Sequence, residues 1–375
     1  NFMSNFYVGY GHKSIGDCGS TTIFVEGVSM LVAKAIQDWP LYSGQESSTR
    51  YIDFKKQPFA NPLNTEQGNE ILEKWRAFYS DSFAALCEHL ENKFPIQDNE
   101  DQKLYQKAIS ARAFDILRGT LPAGATTNLA WHTNLRQAAD KIMMLRSHPL
   151  LEVRNTADAI EKALIQMFPS SFGHKRYPET EEYNRVIMNK YYYFHNPNQL
   201  NFEVISNKVD KNNLPKEILE SRPPKTELPK YFREFGDITF GFKLDFGSFR
   251  DVQRHRAVTQ RMPLLTLELG FGQWYLEELP PNIKSGLEKL LQEQTDAINA
   301  LNAPPEIKQY YIAMGYNISN KIIGDLGSLL YLIELRSTRF VHPTLRQRAL
   351  QMANYLKQEF KEQNIAIHID SEPDR

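Results

Sequence analysis

Gly44-Gln45-Glu46-Ser47-Ser48-Thr49-Arg50-Tyr51 is the stretch on which the reading of this chain turns. It combines a carboxylate, hydroxyls and a guanidinium with small residues that let the backbone come close to a ligand. Such a set can cradle a phosphate through charge-assisted hydrogen bonds. Working outward, residues 21–26 (Thr-Thr-Ile-Phe-Val-Glu) are β-branched and aromatic enough to predict a strand. Gly27 punctuates, and Val28, Leu31, Val32, Ala35 and Ile36 recur at helical spacing up to Gln37. Asp38-Trp39-Pro40 ends that helix, because proline disfavours the helical conformation of the residue before it and has no amide to donate. The segment 43–51 then reads as a loop.

Downstream, apolar spacing predicts helices over 66–94 and 100–118, and Pro122 and Gly124 break the pattern. Helical periodicity resumes from about Thr127 to Arg146 and again from Leu150 to Met167. Lys190 to His195, with three successive tyrosines, reads as a strand before an Asn196-Pro197-Asn198 turn, and Arg222-Pro223-Pro224 as an extended connector. From Asp237 the opening pattern returns: a strand over 237–243, a bend at Phe246-Gly247, and a helix starting at Ser248 and running towards His255. The offset is a constant 216 residues, which sets Arg254 opposite Asp38. Leu335-Arg336-Ser337 with His342-Pro343 likewise echoes Leu145-Arg146-Ser147-His148-Pro149. Two echoes in the same order predict a tandem duplication, with domains 1–168 and 169–375 forming a pseudo-twofold pair.

Composition narrows the classes. The chain has 375 residues, 41% hydrophobic and 24% charged, which argues for two globular domains and against disorder. A net charge of −1 gives no bulk attraction to nucleic acid or an anionic membrane. Two cysteines make neither a disulfide framework nor a metal-ligand spacing, which fits a reducing cytoplasm and no metal. No apolar run reaches the roughly 20 residues of a membrane span. The start, Asn1-Phe2-Met3, lacks the basic and apolar regions of a signal peptide.

Glu46-x-Ser48-x-Arg50-Tyr51, with Ser43 ahead of it, resembles the closing half of the R-H-R-x-x-S-x-N-E-x-S-x-R-Y signature of the flavin-dependent thymidylate synthases. The Arg-His-Arg positions here read Asp38-Trp39-Pro40, while an Arg-His-Arg stands at Arg254-His255-Arg256. Gly11-His12-Lys13-Ser14, followed by Asp17, resembles the family's flavin-contacting Gly-His-x-Ser/Thr motif. Arg118-Gly-Thr-Leu-Pro122 resembles its nucleotide-binding R-x-x-L-P, and Trp131-His-Thr-Asn134-Leu-Arg136 its W-x-x-N-x-R.

The resemblance implies that Glu46, Ser47, Ser48, Thr49, Arg50 and Arg118 bind dUMP. Glu46, His12, Ser14, Asn134 and Arg136 would contact FAD, and Arg254, His255 and Arg256 would meet the FAD and nucleotide phosphates. Arg336 would act on the uracil, polarising the ring, and is the catalytic candidate. Each half has also lost motifs. Asp38 would repel phosphate, and the second half has Pro229 and Tyr231 for the Gly-His-x-Ser pair. It also has Thr259 to Leu267 for the nucleotide loop, Tyr311 near the R-x-x-L-P arginine, and Asp251 for the family's glutamine.

Family members assemble sites between subunits, one subunit giving the Arg-His-Arg wall and its neighbour the Glu-x-Ser-x-Arg wall. The losses here sort by wall. The implied architecture is therefore α/β (α+β), two tandem copies of the family fold, each a twisted, mainly antiparallel sheet with helices, joined as a pseudo-dimer. The implied enzyme has one composite site per chain and pairs into a homodimeric, tetramer-like particle. It would methylate dUMP to dTMP with methylenetetrahydrofolate, FAD and NADPH. The alternatives are a flavin- or nucleotide-binding relative acting on another pyrimidine, and a non-catalytic scaffold.

Overall fold

The computed structural model describes residues 13–172 and 176–373. Its packing divides the chain into two units. One contains the chain up to Tyr193 together with Leu279–Ala313; the other contains Phe194–Glu278 and Met314 onward. Packing thus draws the boundary differently from a linear cut at 168/169.

The first unit is built on a three-stranded antiparallel sheet in the order β1-β3-β2, formed by β1 (Ser20–Ser29), β2 (Ser43–Glu46) and β3 (Thr126–Asn134). β3 is the centre, pairing Ser20↔Asn134 through Ser29↔Thr126 on one side and Ser43↔His132 through Glu46↔Leu129 on the other. A bulge between Val25 and Val28 is turned by Gly27 at φ 67°, whose amide donates to Asn128 Oδ1 at 2.8 Å. A β-carbon would be strained at that φ.

Two expectations are corrected here. The 43–51 segment is not all loop: its first four residues supply the edge strand that satisfies the second side of β3. Gly44 fits there because a Cβ would lie 2.0 Å from the Ala130 carbonyl oxygen. Thr127 to Arg146 is not one helix either: it is strand to Asn134 and helix α4 (Leu135–Leu145) after it. Thr126, Thr127, Trp131 and Thr133 suit a pleated, half-buried surface, and this preference outweighs a few apolar residues at helical spacing.

Helix α1 (Met30–Gln37) is buried on every side and is capped by Ser29, whose hydroxyl accepts from Val32 N. Helices α2 (Glu66–Lys93), α3 (Gln102–Leu117) and α5 (Leu151–Met167) follow the predicted spans. The helix Pro281–Ala300, late in the chain, packs on α2: the buried Gln294 donates to Ile71 O at 2.8 Å. Trp75 Nε1 donates to Tyr311 O at 2.9 Å beside it. The strand expected over Lys190–His195 is also corrected. A helix with Pro178 at its start and Glu179 and Glu181 in its first turn runs through to Tyr191, leaving a strand of only Tyr193–Phe194.

The second unit carries a four-stranded antiparallel sheet. Its strands are β4 (Phe202–Asn207), β5 (Ile238–Asp245), β6 (Thr259–Gln260) and β7 (Asn317–Gly324), in the order β4-β5-β7-β6. Helix α6 (Phe246–Val252) follows β5, α7 (Leu326–Arg336) follows β7, and α8 (Pro343–Glu359) closes the unit. α6 ends three residues short of His255, which lies in the turn beyond it.

The 216-residue offset sets Ser29 on Asp245, each the N-cap of the helix that follows. An offset of 191 sets Asn134 on Asp325, again both N-caps. Under these two offsets Val28↔Thr127 and Ser29↔Thr126 fall on Leu244↔Ile318 and Asp245↔Asn317, so the register agrees where the strands lead into their helices. Beyond the bulge of the first unit it differs by one residue, Val25↔Leu129 against Gly241↔Lys321. Met30 N bonds Ala125 O at 3.0 Å, and Phe246 N bonds Tyr316 O at 3.1 Å in the same register. Among the described residues no helix is long and apolar enough to cross a membrane.

Candidate functional site

In the first unit the loop after β2 is held from below. Glu46 turns inward, where Lys34 Nζ donates to its Oε2 at 2.9 Å and Gln37 Nε2 does so at 2.8 Å. Lys34 also donates to Gln37 Oε1 at 2.7 Å. Both charged side chains are almost completely buried, so the pair fixes where β2 ends and the loop begins. The geometry therefore gives Glu46 a loop-anchoring place rather than an exposed one. Ser47 N is tied to Asn128 O at 2.8 Å, Thr49 is buried, and Ser48 and Arg50 face solvent.

Arg50 reaches Asp115 on α3, donating from Nε at 3.3 Å and from its terminal nitrogen at 2.5 Å. Arg118, one turn after Asp115, approaches the same carboxylate at 3.9 Å. Asp115 thus gathers the loop arginine and the R-x-x-L-P arginine around one point. Sequence reasoning missed it, although its place three residues before Arg118 on a helix is a signal.

Asn134 caps α4, its Oδ1 accepting from Gln137 N at 2.8 Å, which fixes the start of the helix that presents Arg136. Arg136 pairs with Asp17 at 2.7 Å. That joins two motifs far apart in sequence, because residues 13–18 form a short 3-10 turn packed on α4. Ser14 is exposed in that turn; His12 lies outside the described residues. Lys13, Arg136, Arg146 and Arg176 line a cleft of about 200 Å³ together with Glu161 and Glu181.

In the second unit the Arg-His-Arg segment alternates. Arg254 and Arg256 are exposed and His255 is 5% exposed. His255 Nε2 accepts a 2.7 Å hydrogen bond from Arg336 Nε, which requires a neutral ring with its proton on Nδ1. Burial, with Arg336 beside it, pushes the imidazole pKa down to about 3. Burial also lowers the Arg336 pKa, with Asp251 opposing that shift. Arg254 pairs with Asp251 at 3.6 Å. The turn is held by Gln260, whose amide nitrogen donates to Val252 O at 3.0 Å and His255 O at 2.9 Å. So Arg254, His255, Arg256 and Arg336 do come together, with His255 facing Arg336 rather than outward.

The matching corner of the first unit is built otherwise. Asp38, opposite Arg254, is part-buried, and burial raises its carboxyl pKa. The buried Lys141 donates to Asp38 O at 2.8 Å, and burial brings its ammonium down to about 8. Arg146, which the Leu-Arg-Ser echo sets opposite Arg336 although the helix offset of 191 sets it on Ser337, meets Asp158 at 3.3 Å and Glu181 at 3.6 Å, with Glu161 at 3.7 Å. The 191-residue offset also sets the 3-10 turn Arg118–Thr120 on Gln309–Tyr311, which makes Gln309, not Tyr311, the residue opposite Arg118.

Residues 2–170 match the family model for thymidylate synthase complementing protein. That segment is similar to the family. Over most of its length the chain is also similar to three UPF0159 proteins. The one from Chlamydia muridarum is 26% identical over 92% of this chain and 76% of the relative. That of Chlamydia pneumoniae is 25% identical over the same shares. That of Thermoplasma acidophilum is 23% identical over 95% of this chain and 86% of the relative.

Proposed function

We propose that the chain is an FAD-dependent thymidylate synthase-like enzyme that methylates dUMP to dTMP, and that its two strand–helix units arose by tandem duplication. The observation that carries the reading is the division of cationic groups. One unit holds Arg50 and Arg118 around Asp115; the other holds Arg254, Arg256 and Arg336 around His255. By the motif resemblance the first set serves the nucleotide, and the second the flavin and nucleotide phosphates and the uracil. In this reading each chain has one working site and pairs with a second chain in the cytoplasm. The register shared where the two strand pairs lead into their helices supports the duplication.

The donors suit phosphate-bearing ligands. Lys13 and Arg136 in one cleft would hold the FAD, with Asn134 keeping Arg136 in place. Ser47, Ser48, Thr49 and Arg50 would hold dUMP on the loop that the Lys34–Glu46 pair anchors, and Arg118 would take a nucleotide oxygen. Bound flavin, recharged by NADPH, would supply the hydride, and methylenetetrahydrofolate the one-carbon unit. Arg336, aimed by the neutral His255, would stabilise negative charge developing on the uracil. Arg254 and Arg256, solvent-facing, would pair with phosphates.

One observation favours a second reading, a different pyrimidine. Asp251 stands where the family has glutamine and pairs with Arg254, so the ring contacts there differ.

A visible spectrum of the purified protein with added FAD tests the cofactor, and tritium release from [5-³H]dUMP tests the reaction. Arg254→Ala and Ser48→Ala should both weaken dUMP binding. An effect of only one would break the single-site reading, and tritium release absent in a flavin-loaded protein would favour another pyrimidine.

A further inference from the structure

The second unit contains a cleft of about 410 Å³ that none of the motif residues uses. Three segments build it: one face of α7, the connector 222–228, and the chain at 368–370. A buried ion pair locks them together. Arg222 binds Glu334 of α7 and also donates to Thr226 O at 2.6 Å and to Ala366 O at 2.8 Å. His368 N donates to Glu334 Oε1 at 2.9 Å, and a ring nitrogen of His368 lies 2.9 Å from Arg222 O. Asp370 is tied in turn by Arg339 N at 2.9 Å and, through its carbonyl, by Arg346 at 2.9 Å. The concavity is therefore preformed, and its volume falls in the usual range of roughly 300–1,000 Å³ for small-molecule pockets.

Its chemistry differs from that of the first unit's cleft. Both lie on the same face of equivalent helices, since Arg136, Ala139 and Met143 stand 191 residues before Gly327, Leu330 and Glu334. Where the first cleft has Arg136, the second has Gly327. Pro224, Leu228, Leu330, Tyr331, Leu335 and Ile369 give it apolar walls. Tyr331 and Leu335 remain 49% and 45% exposed, large apolar groups kept in contact with water. The charges at the rim balance in number: Arg222 is matched by Glu334, Asp370 by Arg339, and Lys225 and Glu227 add one charge of each sign. An anionic or cationic ligand would lose its hydration here and meet no opposite charge in return.

We propose that this cleft is a binding site for an uncharged, planar aromatic molecule, seated between the Leu330–Leu335 face of α7 and the 224–228 connector. Polar atoms of the connector and Thr338 rim the cleft and can bond the ring's edge. The inference does not depend on the thymidylate reading and is tested without nucleotide or flavin.

The full chain is titrated with 1-N-phenylnaphthylamine, an uncharged fluorescent ring system, and separately with 8-anilinonaphthalene-1-sulfonate, the same skeleton carrying a sulfonate. Saturable binding of one phenylnaphthylamine per chain is expected, with the sulfonate at least tenfold weaker. Leu335→Glu, at an exposed position, should weaken phenylnaphthylamine at least tenfold. Thr338→Trp, which fills the cleft, should do the same and serves as the test if the first variant does not fold. Absent binding, binding unaffected by the folded variants, or equal affinity for the sulfonate would overturn the proposal.

Discussion

The corner after α1 and the corner after α6 follow strand ends that share a register, and they treat charge in opposite ways. In the first unit Asp38, Lys141 and Arg146 are satisfied internally, by a carbonyl or by acids of the unit itself. In the second, Arg254 and Arg256 face solvent and Arg336 is braced by a neutral histidine. Arg146, with three acids within 4 Å, is matched inside its own unit. A cation braced by an uncharged ring keeps its full charge for a ligand. The comparison teaches that one corner meets its charges inside the unit while the other keeps two arginines at the surface, which in the proposed reading is the binding wall.

The largest expected effect tests the inward-looking side. Lys34→Met leaves Glu46 as a buried carboxylate without its ammonium, which should cost about 3–5 kcal/mol in denaturant unfolding. The double variant Lys34→Met/Glu46→Leu should recover much of it, and a single-variant loss below about 1 kcal/mol would show that the pair does not anchor the loop.

The next effect tests the outward-looking side. Arg336→Ala should weaken dUMP binding by about 2–3 kcal/mol, read by calorimetry, because a charge-assisted contact is lost. Equal binding by wild type and variant would remove Arg336 from the site.

Acid unfolding compares the units directly. His148 in the first and His255 in the second are each held down to about 3 by burial, first of all. Both are neutral when folded and take up a proton near pH 6.5 when unfolded, so the unfolded chain binds more protons below that value. Stability from each is full above about pH 6.5 and lost as pH falls towards 3, amounting to about 2 kcal/mol each at pH 5. Urea midpoints from pH 7 to 5 should fall accordingly, and His255→Gln should flatten only its own share of the slope.

The smallest effect is the control. Asp38→Ala should leave dUMP affinity within about twofold (roughly 0.5 kcal/mol), since its corner takes no part in binding. A large loss would mean that both corners serve the nucleotide.

Much of this was legible in the sequence. The strand–helix opening, the stop at Asp38-Trp39-Pro40, the spans of α2, α3 and α5, and the 216-residue echo all follow from local spacing and turn chemistry. The grouping of Arg50 with Arg118, and of the Arg-His-Arg segment with Arg336, followed from motif resemblance, and each pair is close within its unit. Other features were hidden. Ser43–Glu46 looked like a loop because an edge strand needs only a partner with free carbonyls and amides, which local composition does not reveal. Thr126–Asn134 looked helical because a nine-residue window holds few apolar positions to separate the two periods.

By itself the sequence determined which cations the chain carries, in which half each lies, and where helices such as α2, α3 and α5 start and stop. Those depend on residues within a few positions of one another. Only the tertiary structure decided which way each charge faces. Glu46 turned inward to Lys34, His255 turned inward to Arg336, and Asp115 became the meeting point of two arginines 68 positions apart. Burial and partner choice set charge and direction, and both are properties of packing between segments that sequence spacing does not encode.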